Sequence, residues 1–352
     1  MIILYIAGLS DKKFAGPNIN VPANAIYGEK YATIGLYNTG TQCLESVKKI
    51  RNYFDKSKMK NYDVSTLPEP FNNPDLVVFN SMYIMSHAKI AKKLRKNNIP
   101  YIITPRGALT KKAQEKKKLK KLVGNLLVFK KYVKGARGIH FLTQNEYKES
   151  RSFKFRDYMI SGNGTTKKNI TKKYEHEKNK FIISFIGRIE KFHKGLDVLV
   201  EAVKIGKEDF RVRNIELNMY GPNQDDSVQY IKDKCKEYQI EDLIHIHEPV
   251  YDEQKEKILL HTDLFIHTSR LEGHPTSIIE AISYGVPVLV TPGTNVMDEV
   301  SDNNLGYTSE LNPNMIKEKI LLAYENRANF PNITRNEIAF SQANFEWDVL
   351  MK

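Results

Sequence analysis

Short apolar runs alternating with longer amphipathic stretches organise most of the chain. Leu76–Phe79, Pro100–Thr104 and Gly138–Thr143 read as buried strands, and between the first two the segment 87–97 sets Ile90, Ala91 and Leu94 at helical spacing. The opening run, Met1–Gly8, is apolar but short, with no positive segment before it, and reads as a buried first strand rather than a secretory signal. A second series starts at Phe181–Ile186 and continues through strands at 215–220, 244–247, 264–268 and 286–291. Helices are expected near 195–205, 226–238, 253–261 and 276–284. This alternation predicts α/β architecture: two doubly wound, Rossmann-like domains with a cleft between them, ligands lying at the carboxyl ends of the strands. The expected boundaries are 1–165, 166–335 and a terminal helix 336–352 that crosses back to the first domain. The glycine-containing 160–166 and the polar 167–180 form the predicted linker.

Composition narrows the classes. With 352 residues and 41% hydrophobic positions, both halves can bury a core, which excludes disordered and collagen-like chains. Cys43 and Cys235 alone supply neither a disulfide framework nor a zinc site, and they point to a reducing compartment. No apolar run approaches the roughly 18 residues of a membrane span. The expectation is a cytoplasmic protein, soluble or peripheral on the inner face of the cell membrane. The net charge of +13 is uneven: residues 1–170 hold 32 Lys+Arg against 11 Asp+Glu, and residues 171–352 hold 22 against 30. A basic first half implies an anionic partner, whether membrane, nucleic acid or substrate.

Two strand-to-helix loops carry candidate chemistry. In Gly187-Arg-Ile-Glu-Lys-Phe-His-Lys-Gly-Leu-Asp197, Arg188 and Lys194 flank the turn into a helix, an arrangement able to hold a diphosphate and steady it as a leaving group. The P-loop pattern of ATPases is absent from this turn. Arg188 and Lys194 as ordinary solvated charges at a sheet edge is the competing reading. In Thr268-Ser-Arg-Leu-Glu-Gly-His-Pro-Thr-Ser-Ile-Ile-Glu-Ala281, Glu272 precedes the helix and Glu280 lies one turn inside it. Glu272 is placed to address a sugar and Glu280 a ribose, while backbone N–H groups of Gly273, His274, Thr276 and Ser277, around Pro275, would face phosphate oxygens or hydroxyls. Ser277-x-x-Glu280 equally satisfies a capping box, in which Glu280 serves only the helix start.

The pair Glu272…Glu280 resembles the E-x7-E signature of retaining glycosyltransferases of family 4, and Arg188 with Lys194 resembles that family's donor-phosphate pair. Tyr220-Gly-Pro222 and Asp263–Ser269 lie between them in matching order. The resemblance implies a GT-B fold and a nucleotide diphosphate sugar as donor, UDP favoured. It also implies transfer of a hexose with retention to a saccharide or lipid-linked acceptor, and no metal or other cofactor. By position it assigns Arg188 and Lys194 to the donor phosphates, Glu280 to the ribose and Glu272 to the donor sugar. In the first half, Gly16-Pro17-Asn18 resembles the family's glycine loop, and Pro105-Arg106-Gly107-Ala108-Leu109 resembles a loop that often carries histidine after the proline. That departure leaves open whether Arg106 acts on sugar or phosphate. Bacterial capsule, exopolysaccharide or lipopolysaccharide synthesis is the implied setting.

The segment Lys111–Lys134 holds ten lysines and one acid, with Leu119, Leu122, Val123, Leu126 and Leu127 at helical spacing and Phe129 and Tyr132 beyond. A basic amphipathic helix beside exposed aromatics fits an anionic membrane surface. Packing of the apolar stripe into the core behind a solvated lysine face is the competing reading, and nucleic acid is disfavoured by the lack of interleaved aromatics for base stacking. The scattered histidines, with His245 and His247 sharing one strand face, complete no metal-ligand set, so no metal is expected. His274 is expected to matter through its backbone rather than its imidazole. Alternatives to a transferase are an epimerase-like or non-catalytic nucleotide-sugar protein, and a membrane or RNA recruitment module.

Overall fold

The computed structural model describes residues 1–174 and 179–351. They fall into two compact units, 1–164 with 347–352, and 165–346. Residues 175–178 of the expected linker lie outside the described residues.

In the first unit, β1 (Ile2–Ala7), β2 (Thr33–Asn38), β3 (Tyr53–Phe54), β4 (Leu76–Asn80), β5 (Tyr101–Thr104), β6 (Gly138–Phe141) and β7 (Tyr158–Ile160) form one parallel sheet ordered β3-β2-β1-β4-β5-β6-β7. In the second, β8 (Phe181–Ile186), β9 (Ile215–Tyr220), β10 (Ile244–His247), β11 (Leu264–His267), β12 (Val288–Val290) and β13 (Gly306–Thr308) form a parallel sheet ordered β10-β9-β8-β11-β12-β13. Strands covered by helices on both faces are near-continuously apolar, and β8 (FIISFI) and β11 (LFIH) each carry one polar residue, the buried Ser184 and His267. Each buried aliphatic side chain contributes about 1.5–3 kcal/mol relative to exposure. Core clusters on both faces of the second sheet include Phe185, Leu199 and Leu217 on one side and Phe265, Ile278 and Val288 on the other. Both sheets reverse their winding direction between two neighbouring strands, β1/β4 and β8/β11, and the loops leaving those strands flank a crevice in such folds.

The linker and tail differ from expectation. Lys172 is buried: its Nζ donates to the Leu260 carbonyl at 2.8 Å and lies 3.4 Å from Asp263, so the start of 167–180 packs on the second unit. The tail is divided rather than one crossing helix from 336. The helix Phe330–Asn344 packs on the helix Thr276–Tyr284 within the second unit, and the chain rejoins the first unit only at Trp347. There Trp347 stacks on Tyr27 at 5.9 Å and lies so close to Gly164 that a Cβ on that residue would meet the indole at 2.5 Å.

The basic segment also departs from a single amphipathic helix. Lys111–Glu115 and Lys118–Gly124 are helical but separated by Lys117 in the left-handed region (φ 57°). Residues Asn125–Phe129 then widen into a π-helical turn before Lys130–Lys134. Phe129 and Tyr132 are buried, not exposed, Phe129 packing edge-on to Tyr83 at 4.9 Å. The leucine stripe points outward, against the competing core-packed reading, because the opposite side of the helix already supplies Phe129, Tyr132 and Val133 to the interior.

Candidate functional site

The switch between β8 and β11 explains how residues far apart in sequence meet. The loop after β8 carries Arg188 and Lys194, and the loop after β11 carries Glu272. Gly195 has φ +66°, and a Cβ there would lie 2.0 Å from the Thr268 carbonyl oxygen, so only glycine lets the loops touch. The Thr268 hydroxyl donates back to the carbonyl oxygens of Lys194 and Gly195 at 3.1 and 3.2 Å. Arg270 clamps the same pair of loops. Its guanidinium makes two parallel bonds to Asp197, at 2.7 and 2.8 Å, and stacks on Phe192 at 4.2 Å.

Within this frame Lys194 Nζ meets Glu272 Oε1 at 2.5 Å, both side chains largely buried. The same oxygen accepts the Ser269 hydroxyl at 2.8 Å. Since that hydroxyl has one proton and gives it to Glu272, it accepts from His267 Nδ1–H, 3.0 Å away. His267 is therefore the Nδ1–H tautomer, and burial followed by the nearby Lys194 charge pushes its pKa down to about 3. For Glu272 burial alone would raise the pKa, but Lys194, His267 and the Ser269 hydrogen bond outweigh it and hold the carboxylate down at about 2. The Glu272 backbone is fixed as well: its N–H donates to the Gly293 carbonyl at 2.8 Å, and Asn295 donates to its carbonyl oxygen. The result is a carboxylate held ionised at neutral pH in a set position, linked through Ser269 to a neutral imidazole.

The helix Thr276–Tyr284 starts directly after this loop with Pro275 at its N-cap, where no side chain caps it. The capping-box reading is thereby overturned: Ser277 lies inside the helix, and Glu280 pairs with Lys255 of the helix Asp252–His261. Glu280 is not part of the Lys194–Glu272 cluster. His274 is buried, with its ring on Phe345 at 5.6 Å and its Nε2 3.8 Å from Glu299. Arg188 is the more open of the two cations, one-third exposed and 3.3 Å from Glu190. His245 and His247 do not act together: His245 lies 3.7 Å from Glu216, and His247 bonds Asn218 at 2.7 Å and stacks on Tyr220.

Gly16 and Arg106 belong to the first unit. Gly16 opens the helix Gly16–Gly28 that follows β1, with Asn20 donating to its carbonyl at 3.0 Å. Arg106 follows β5 with left-handed backbone (φ 52°) and is partly buried, donating to Asn80 at 3.0 Å and Asn163 at 3.3 Å. Burial pulls its pKa down to about 10, with Glu146 opposing the shift. Glu146 itself accepts from the backbone N–H groups of Gly107 and Leu142, which holds the Arg106 loop in place.

Sequence reasoning missed Ser269, His267, Arg270, Asp197 and Lys255. Ser269 and Arg270 sit within the Thr268–Ala281 motif, His267 immediately before it, and Asp197 closes the Gly187–Asp197 motif. Asp197 and Lys255 were recognisable only through partners 73 and 25 residues away.

The family model for glycosyl transferases group 1 matches residues 166–339. Protein CapJ of Staphylococcus aureus is 28% identical over 159 residues, a stretch spanning 40% of this chain and 40% of CapJ's own length. Among solved structures, HepE of Anabaena in complex with UDP and glucose superposes with a TM-score of 0.75 at 14% identity, covering 99% of this chain and 96% of that one. Sucrose-phosphate synthase of Thermosynechococcus elongatus gives 0.75 at 15% identity, covering 99% and 96%. At these identities the structural likenesses establish the fold. Residues 166–339 thus match the glycosyl transferases group 1 family, and the two Rossmann-like sheets make a GT-B-type fold.

Proposed function

We propose that this chain is a retaining, metal-independent hexosyltransferase that takes its sugar from a UDP-linked donor. The observation that carries the reading is the buried Lys194–Glu272–Ser269–His267 cluster beside the uncapped start of the helix Thr276–Tyr284. In glycosyl transfer, positive charge develops at the anomeric carbon while negative charge grows on the departing diphosphate. Arg188, Lys194 and the helix N-terminus stabilise the departing charge, and losing one such donor costs about 2.7–4 kcal/mol of barrier in comparable sites. Glu272 stays ionised without help from the ligand, so it is ready to orient the sugar hydroxyls and offset the cationic sugar. Glu280, one-fifth exposed beside Lys255, serves the ribose. Arg106 bonds Asn80 and Asn163 through its two terminal nitrogens while its Nε has no partner among the described residues, so its charge is available to the sugar or to phosphate.

The neighbour crystallised with UDP and glucose supports a UDP donor, and CapJ supports a surface-polysaccharide setting with a saccharide or lipid-linked acceptor. The protein would then work in the cytoplasm at the inner face of the cell membrane, with Lys111–Lys134 turned to the anionic surface. Calorimetric titration with UDP, GDP and ADP in EDTA, on wild type and Arg188→Ala, tests the donor site. The expected outcome is metal-independent UDP binding, weakened about tenfold by the substitution, followed by UDP-hexose-dependent transfer or slow donor hydrolysis. Failure of all three diphosphates to bind would end the transferase reading.

A further inference from the structure

We infer that residues 118–128 form an apolar ridge that inserts into an anionic lipid bilayer, so that the first unit is held by buried leucines as well as by lysine charge. This deepens the proposed membrane setting and rests on it only in the choice of lipid.

The ridge is an unusual surface. Leu119, Leu122, Val123, Leu126 and Leu127 occupy positions i, i+3, i+4, i+7 and i+8, the spacing of a helix face that ordinarily packs inward. Here they are 56–79% exposed, among the most exposed large apolar side chains of the described residues. The segment is nevertheless well anchored from behind. Asn125 bonds Tyr83 at 3.1 Å and Gln114 at 3.1 Å, Phe129 packs on Tyr83, and Tyr132 accepts the Tyr101 hydroxyl on its carbonyl at 2.7 Å. The outward leucines are thus a fixed presentation on a held helix. The π-helical turn at Asn125–Phe129 accommodates both faces: it adds width where the inward Asn125 and Phe129 and the outward Leu126 and Leu127 alternate.

Charge complementarity selects the occupant. Lys116, Lys117, Lys118 and Lys120 at one end, and Lys130, Lys131 and Lys134 at the other, bracket the ridge, with Glu115 the one acid between 111 and 134. Long lysine stems run along apolar surface while their ammonium groups reach the phosphate level, so aliphatic side chains between lysines match a headgroup–acyl boundary. A second copy of the same ridge is a poor occupant, because a two-fold contact would press lysine against lysine. Nucleic acid would be served by the lysines alone and leaves the leucines unexplained.

The test is co-sedimentation of the full chain with vesicles of phosphatidylglycerol and phosphatidylcholine, against phosphatidylcholine alone, at low and high salt. Wild type is expected to pellet with the anionic vesicles and to keep a measurable fraction bound at high salt. The double variant Leu122→Asp/Leu126→Asp, with every lysine intact, should bind at least about tenfold more weakly. It should melt like wild type and titrate UDP unchanged, which separates failure of the ridge from failure of the donor-site reading. Equal binding by wild type and the variant would overturn insertion in favour of charge alone. No wild-type pelleting, or a concentration-dependent dimer in light scattering that the variant abolishes, would overturn the membrane as occupant.

Discussion

Lys194 and Arg270 of the second unit each spend their charge on a carboxylate inside the protein, whereas the lysines between 111 and 134 face a single acid and surround five exposed aliphatic side chains. In the loops after β8 and β11 the carboxylate is held ionised, the imidazole neutral and the backbone pinned by a glycine contact, so cost is met within the fold and chemistry is prepared before a ligand arrives. On the lysine ridge the balance is left open, and its free energy is available only to something that binds it. Polar atoms out of sight point to catalysis, and apolar atoms in plain view point to recruitment.

The largest way to break this contrast is to leave a charge stranded in the closed site. Lys194→Met removes the partner of Glu272 and should destabilise the protein by about 3–5 kcal/mol in denaturant titration. Next comes Gly195→Ala, whose Cβ collides with the Thr268 carbonyl in a left-handed conformation and should cost about 2–4 kcal/mol by the same measurement, with weaker UDP binding as the loops part.

Acid sharpens the comparison. His267, His87 and His140 are held neutral by burial, at about 3, 3 and 4, so the unfolded chain takes up protons first as pH falls below 6.5, and stability should decline from there to about pH 3. Glu272, at about 2 against an ordinary 4.5, contributes stability that is complete above pH 4.5 and lost between there and pH 2. Denaturant midpoints across that range should show both losses in wild type. In Lys194→Met the Glu272 contribution should reverse, stability rising as acid neutralises the stranded carboxylate. The smallest stability effect belongs to Arg188→Ala, within about 0.5 kcal/mol because the side chain is partly solvated, even as donor affinity falls.

Much of this organisation was legible in the chain. Near-continuous apolar runs such as FIISFI identify central parallel strands, and Glu272 and Lys194 were recognisable because each sits in a glycine-containing turn after such a run. The short β3, β7 and β13 escaped because two or three residues carry no periodicity, and β2 escaped because TIGLYN mixes glycine, threonine and asparagine with its few apolar positions. His267 was hidden at the end of an apolar strand, where it resembles core, and Asp197 became meaningful only once the β8/β11 adjacency placed Arg270 against it. Periodicity detected the ridge but left its side open, and it misplaced Phe129 and Tyr132 on the surface. When a helix carries apolar residues on two faces, spacing alone cannot say which one the sheet has taken, and Phe129 and Tyr132 had the better fit.

Trp347 is the chain's single tryptophan, and it is almost fully enclosed by Tyr27 and Gly164 where the tail rejoins the first unit. The protein thus carries its own optical gauge. Emission excited selectively at tryptophan, beyond the absorption of the 19 tyrosines, reports the seating of Trp347, so a red shift on mild heating would register the tail coming loose before either sheet melts. A label-free trace of that kind is obtained from unmodified protein.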